Sequence, residues 1–107
     1  MIHLVARRID PHQREHVVEW LRTVDGPRRE EALASLEAEG IRHETAMILE
    51  GIDGPVIVYA MESDDVERAR TIADDSPRPI DGEHRAVMRA ADAGAADADI
   101  LLDLRPA

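Results

Sequence analysis

The two strand-like runs on either side of Gly51-Ile52-Asp53-Gly54 constrain this chain more than any other feature. Ile41 to Glu50 and Pro55 to Glu62 are aliphatic and β-branched, and the short Gly-containing turn between them predicts an antiparallel hairpin. A strand with one face in water alternates apolar and polar side chains, and these runs do not. Val56, Val58 and Ala60 share one face of the second run while Ile57, Tyr59 and Met61 share the other, and Met47 and Leu49 oppose Ala46 and Ile48 in the first. If helices cover one side of the sheet, the other side still needs a partner. This reading takes Ile57 and Met61 as outward-facing.

The flanking segments supply the rest of an α+β domain. Ile2 to Ile9 reads as a strand, and Asp10-Pro11 starts a helix in which Val17, Val18, Leu21 and Val24 recur at helical spacing with Trp20 beside them. Asp25-Gly26-Pro27 interrupts that helix. It resumes from Arg28 to Glu39 with Ala32, Leu33 and Leu36 inward, and Gly40 ends it. Ser63-Asp64-Asp65 caps a helix carrying Val66, Ala69, Ile72 and Ala73, stopped by Ser76-Pro77-Arg78-Pro79. Asp81 is expected to cap a further helix reaching about Ala93, and Asp99 to Leu104 to form the last strand, with Ile100, Leu102 and Leu104 backed by Leu101. The order predicts a ferredoxin-like βαββαβ fold with split helices, a four-stranded antiparallel sheet and one domain over residues 1–107. The second apolar face predicts a homodimer through the sheet face, since an isologous contact uses the same patch twice.

Composition narrows the function classes. A net charge of −10, from 23 acidic and 13 basic residues, opposes binding to nucleic acid or to an anionic membrane surface. Without cysteine there is no disulfide, thiolate nucleophile or zinc-thiolate site. MIHLVARRID is too short an apolar run for a signal peptide, and nothing approaches a membrane span, so a soluble cytoplasmic protein is expected. There is no P-loop, GxGxxG or GxSxG, and one Trp and one Tyr make no stacking platform for bases.

Four segments, VVEWLRTV, RREEALASLEAEGIRHET, VYAMESDDVERAR and PIDGEHRAVM, together resemble a bacterial family known as a domain of unknown function, within the broad class of dimeric α/β barrels. The resemblance covers most of the chain. It implies the fold and the dimer, and Met47 stands where relatives carry an aromatic residue. The broad class includes monooxygenases, cyclases, mutarotases and haem-degrading enzymes, so fold analogy does not choose a chemistry.

Two residues are the candidate acid/base pair. His84 shares a helical stripe with Val87, Met88 and Ala91 and so faces the sheet, where a neutral imidazole could move a proton or simply satisfy a buried polar group. Glu44 shares a strand face with Ala46 and Ile48, where a carboxylate needs a partner, for which Arg7 or Arg8 is suited. Trp20, Tyr59, Arg8 and Met47 are the expected pocket walls. Arg28 to Glu31 reads as a solvated helix face from which Arg29 reaches inward. His12 and His16 have the i, i+4 spacing of metal ligands, with Glu15 or Glu19 nearby, but fall on an exposed first turn, so no metal or redox cofactor is expected. Two functions follow. One is a proton-transfer enzyme for isomerisation, cyclisation or cofactor-independent oxidation of a small organic molecule; the other is a non-catalytic binding or interaction module.

Overall fold

The computed structural model describes residues 2–106. β1 (Ile2–Ile9) ends at Asp10, whose carboxylate accepts from the His12 backbone N–H at 2.9 Å. Pro11, with a φ already suited to a first helical turn, opens a short 3-10 turn, Pro11–Gln13, that leads into α1 (Arg14–Asp25). Gly26 follows because a Cβ there would lie 2.9 Å from the Arg22 carbonyl oxygen. α2 (Arg29–Glu39) then runs to Gly40, which closes it at φ 75°, a left-handed conformation that glycine adopts without a Cβ clash. β2 (Ile41–Gly51) and β3 (Gly54–Ser63) form the hairpin, paired from Ile41 and Ser63 down to Gly51 and Gly54. Asp65 caps α3 (Val66–Asp74) by accepting from the Arg68 N–H at 3.0 Å. Pro79 opens α4 (Pro79–Ala91), and β4 (Asp92–Ala95) follows without a loop.

The four strands lie in the order β2-β3-β1-β4, with every neighbouring pair antiparallel. Cross-strand register fixes which side chains meet the helices. Ile9, Ile48, Ile57 and Tyr59 project to one face, where Val17 and Leu21 of α1 and Val87, Met88 and Ala91 of α4 complete the core. Met47, opposite Val58, and Leu4, opposite Ala60, project from the other face. No helix covers them there: Ile2, Leu4, Met47 and Leu49 are 44% to 54% exposed. No helix among the described residues is long and apolar enough to cross a membrane.

The structure corrects several expectations. Ile57 is not outward-facing but fully buried against α1, and Met61 shares its face, so the open-face residues of β3 are Val56, Val58 and Ala60. The last strand is not Asp99 to Leu104. The Asp10 N–H donates to the Ala91 carbonyl at 2.8 Å, which returns the chain to the side of β1 as soon as α4 ends. Asp92–Ala95 therefore takes the edge position, and Ile100, Leu101, Leu102 and Leu104 lie beyond it, exposed and without regular structure. Asp81 does not cap α4. Pro79 starts that helix, and the Asp81 carboxylate instead accepts from two serine hydroxyls. In α2 the inward stripe is Ala32, Ser35, Leu36 and Glu39 rather than one containing Leu33, which is 53% exposed.

Candidate functional site

His84 sits at the centre of a three-ring arrangement drawn from three elements. Trp20 of α1 donates its indole N–H to His84 Nδ1 at 2.9 Å, and the Tyr59 hydroxyl of β3 lies 3.2 Å from His84 Nε2. The rings are 6.3 Å and 5.9 Å from the imidazole centroid, Trp20 tilted and Tyr59 edge-on. Helical spacing produces this convergence, because Trp20 and His84 each occupy the sheet-facing side of their helix while Tyr59 lies on the helix-facing side of β3. Arg28, rather than Arg29, reaches inward: its guanidinium lies 5.5 Å from the Trp20 ring and pairs with Glu31 and Glu83.

The proton on His84 follows from its partners. An indole N–H can only donate, so Nδ1 must be the unprotonated nitrogen and the ring is the neutral Nε2–H tautomer. Burial lowers the imidazole's pKa, as does Arg85 more weakly, against an opposing push from Asp81. Nε2–H then donates to the Tyr59 oxygen, which leaves the phenol's own proton free to turn elsewhere. Burial, with the Glu44 charge adding to it, raises the Tyr59 pKa, so the phenol is a donor and not a phenolate.

Tyr59 and His84 form part of the wall of a cleft of about 400 Å³ between α4 and the β1–β4 edge. Ile9 and Met88 give it an apolar side, and Arg7, Arg8, Arg85 and Arg89 surround it, with Asp92 the one carboxylate in the lining. The four guanidiniums have different employment. Arg7 holds Asp92 through two bonds of 2.7 Å, which keeps that carboxyl below its usual pKa. Arg85 donates to the Ala73 and Ser76 carbonyls at 2.6 and 3.2 Å, closing the end of α3. Arg8 and Arg89 form no ion pair among the described residues. The cleft is thus a positive site on a chain of net charge −10.

Of the residues chosen from sequence, His84 and Tyr59 meet in this cleft, and Arg8 borders it from β1 with its side chain on the open-face side, opposite Val56. Trp20 backs His84 without lining the cleft, Glu44 is not among its walls, and Met47 projects from the opposite face of the sheet. The expected ion pair between Glu44 and Arg7 or Arg8 does not form, because Asp92 takes Arg7. Burial raises the Glu44 carboxyl pKa. His12 and His16 are both exposed, and no group of three side chains suited to a metal ion occurs among the described residues.

Sequence reasoning missed a second polar group, beneath α2. The Ser35 hydroxyl donates to Asp81 Oδ1 at 2.5 Å and the Ser76 hydroxyl to Asp81 Oδ2 at 2.5 Å. Ser35 has one proton and it is committed, so the 3.3 Å contact between its oxygen and Glu39 Oε1 is satisfied when Glu39 donates as a protonated acid. Burial, with repulsion from Asp81 and Glu44, pushes Glu39 up to about 7. The usable signal was the spacing 32, 35, 36, 39, a helical stripe whose last member is a carboxylate.

These features define a class, a two-layered α+β domain with one helix-covered and one open sheet face and a cationic cleft at the sheet edge. Residues 1–106 match the family of unknown function DUF6176, and the chain belongs to that family. No curated protein and no solved structure matches it.

Proposed function

We propose that this chain is a homodimeric, ferredoxin-like binding protein whose cleft takes a small organic anion and performs no proton transfer on it. The strand order β2-β3-β1-β4, with helices between β1 and β2 and between β3 and β4, supports the ferredoxin-like assignment. The uncovered apolar side chains Ile2, Leu4, Met47 and Leu49 support pairing through the sheet face.

The observation that carries the binding reading is that both nitrogens of His84 are engaged by the protein, by Trp20 and by Tyr59. A general base must present a free lone pair to its substrate, and His84 has none to offer. What faces the cleft instead is a pair of donors: the Tyr59 hydroxyl, oriented by His84, and the guanidinium of Arg89. Such a pair suits a carboxylate, with the apolar body of the ligand against Met88 and Ile9.

Thermal shift and calorimetry with small aliphatic and aromatic carboxylates, each beside its methyl ester, test this. A ligand present at roughly a hundred times its Kd stabilises the fold by about 2.7 kcal/mol, a shift of many degrees in a domain this small. Acids should bind and esters should not, with Arg89→Ala and Tyr59→Phe each weakening binding about tenfold. Equal binding of acid and ester, or turnover of a bound compound lost in His84→Gln, would refute the proposal.

A further inference from the structure

The segment after β4 has a composition its surroundings do not explain. Ile100, Leu101, Leu102 and Leu104 are 58%, 91%, 73% and 78% exposed, four large aliphatic side chains in five positions facing water. The segment is not unanchored, because Arg105 donates to Glu62 at 3.1 Å. Glu62 lies opposite Ile2 at the rim of the open sheet face. The leucines therefore border that face without covering it, as the exposure of Ile2 and Leu4 requires.

From this we infer that residues 99–105 pack onto the open sheet face of a second copy of the chain, an inference that rests on the homodimer proposed above. Area is the deciding argument. The four large side chains exposed on the sheet face contribute about 400 Å² of apolar surface, to which the partly exposed Val56, Val58 and Ala60 add, against the roughly 800 Å² of total surface that one partner buries in a stable complex. Adding the four from the C-terminal segment brings the total to about 1,000 Å² per chain, within that range. The two surfaces are contiguous, so a two-fold arrangement that opposes two sheet faces brings each segment to the rim of its partner's sheet. The charges agree with this placement: Asp99 and Asp103 punctuate the apolar segment, and Arg8 and His43 lie on the open-face side of β1 and β2, by alternation with Ile9 and with Glu44.

The chain has no cysteine, so single cysteines report proximity without background. Leu102→Cys on one tagged chain and Leu4→Cys on a chain with a different tag are mixed and mildly oxidised. A disulfide-linked heterodimer on a non-reducing gel is expected, well above the yield with Ile52→Cys, a fully exposed turn position, in place of Leu4→Cys. In parallel, Leu102→Glu with Leu104→Glu should raise the dimer dissociation constant about tenfold or more while leaving the monomer folded, since neither side chain is in the core. If the unmodified chain is dimeric but the cross-link matches the Ile52→Cys control and the double variant dimerises normally, this inference fails and the dimer stands. If the unmodified chain is monomeric at micromolar concentration, the dimer reading fails and takes the inference with it.

Discussion

Trp20 and His84, sixty-four positions apart in the chain, share a hydrogen bond of 2.9 Å whose direction fixes the tautomer of the imidazole and, through it, the orientation of the Tyr59 hydroxyl. Trp20→Phe keeps the packing and removes the donor. It should destabilise the fold by about 1–3 kcal/mol, the cost of a buried acceptor left without a partner, and weaken carboxylate binding as well. Denaturant melts monitored by circular dichroism check the first effect, and calorimetry the second.

His84 also gives stability a dependence on pH. Its pKa in the fold is below the ordinary 6.5. On acidification the unfolded chain takes up that proton first, so the contribution is present above about pH 6.5 and is lost as pH falls toward the folded value. His84→Gln should flatten this acid-side loss. An unchanged slope in urea melts between pH 5 and 7 would show that the fold does not shift the His84 pKa.

Glu39 acts in the opposite sense. It keeps its proton to about pH 7 in the fold but loses it near 4.5 in the unfolded chain. Between those values the folded chain binds more protons, so stability falls as pH rises, by up to about 3 kcal/mol above pH 7. Glu39→Gln, a permanent stand-in for the protonated acid, should be close to neutral at pH 4.5 and stabilising at pH 8. Because the two slopes oppose each other just below pH 6.5, the single variants are needed to separate them.

Asp92 competes with a ligand for Arg7. Asp92→Asn releases the guanidinium into the cleft at a partly exposed position, where the ion pair contributes little to stability. The melting temperature should change little, and carboxylate affinity should rise severalfold. A drop in affinity would mean that the Arg7–Asp92 pair itself shapes the site.

The two faces of β3 respond differently to the same charge. Ile57 is fully buried, so Ile57→Glu should prevent folding, and Ile57→Ala should cost about 2–5 kcal/mol. Val58→Glu lies one residue away on the open face and should leave the subunit folded and monomeric by light scattering. A dimeric Val58→Glu would place the interface elsewhere.

Most of the local structure was legible in the chain. The hairpin, the break at Gly26-Pro27, the left-handed Gly40 and the Asp10 and Asp65 caps follow from backbone sterics and hydrogen bonding between residues a few positions apart. His84 and Tyr59 could be chosen because helical and strand periodicity show which side each faces. The last strand was not legible, since Ile100 to Leu104 has the stronger β pattern and Asp92-Ala93-Gly94-Ala95 almost none. The bond from Asp10 to the Ala91 carbonyl and the Arg7–Asp92 pair join segments more than eighty residues apart, and they assign the edge position to the weaker segment.

The sequence by itself determined where the chain turns, which residues repeat at the helix or strand period, and that the strands are apolar on both sides, because each of these depends on neighbours within a turn or a strand pair. Only the tertiary structure decided which apolar set became the core and which stayed open, that Asp92 rather than Glu44 holds Arg7, and that His84 has both nitrogens occupied. Those outcomes depend on distances between elements remote in sequence, and a side chain's protonation and its freedom to act are set by the partners the fold brings within 3 Å of it.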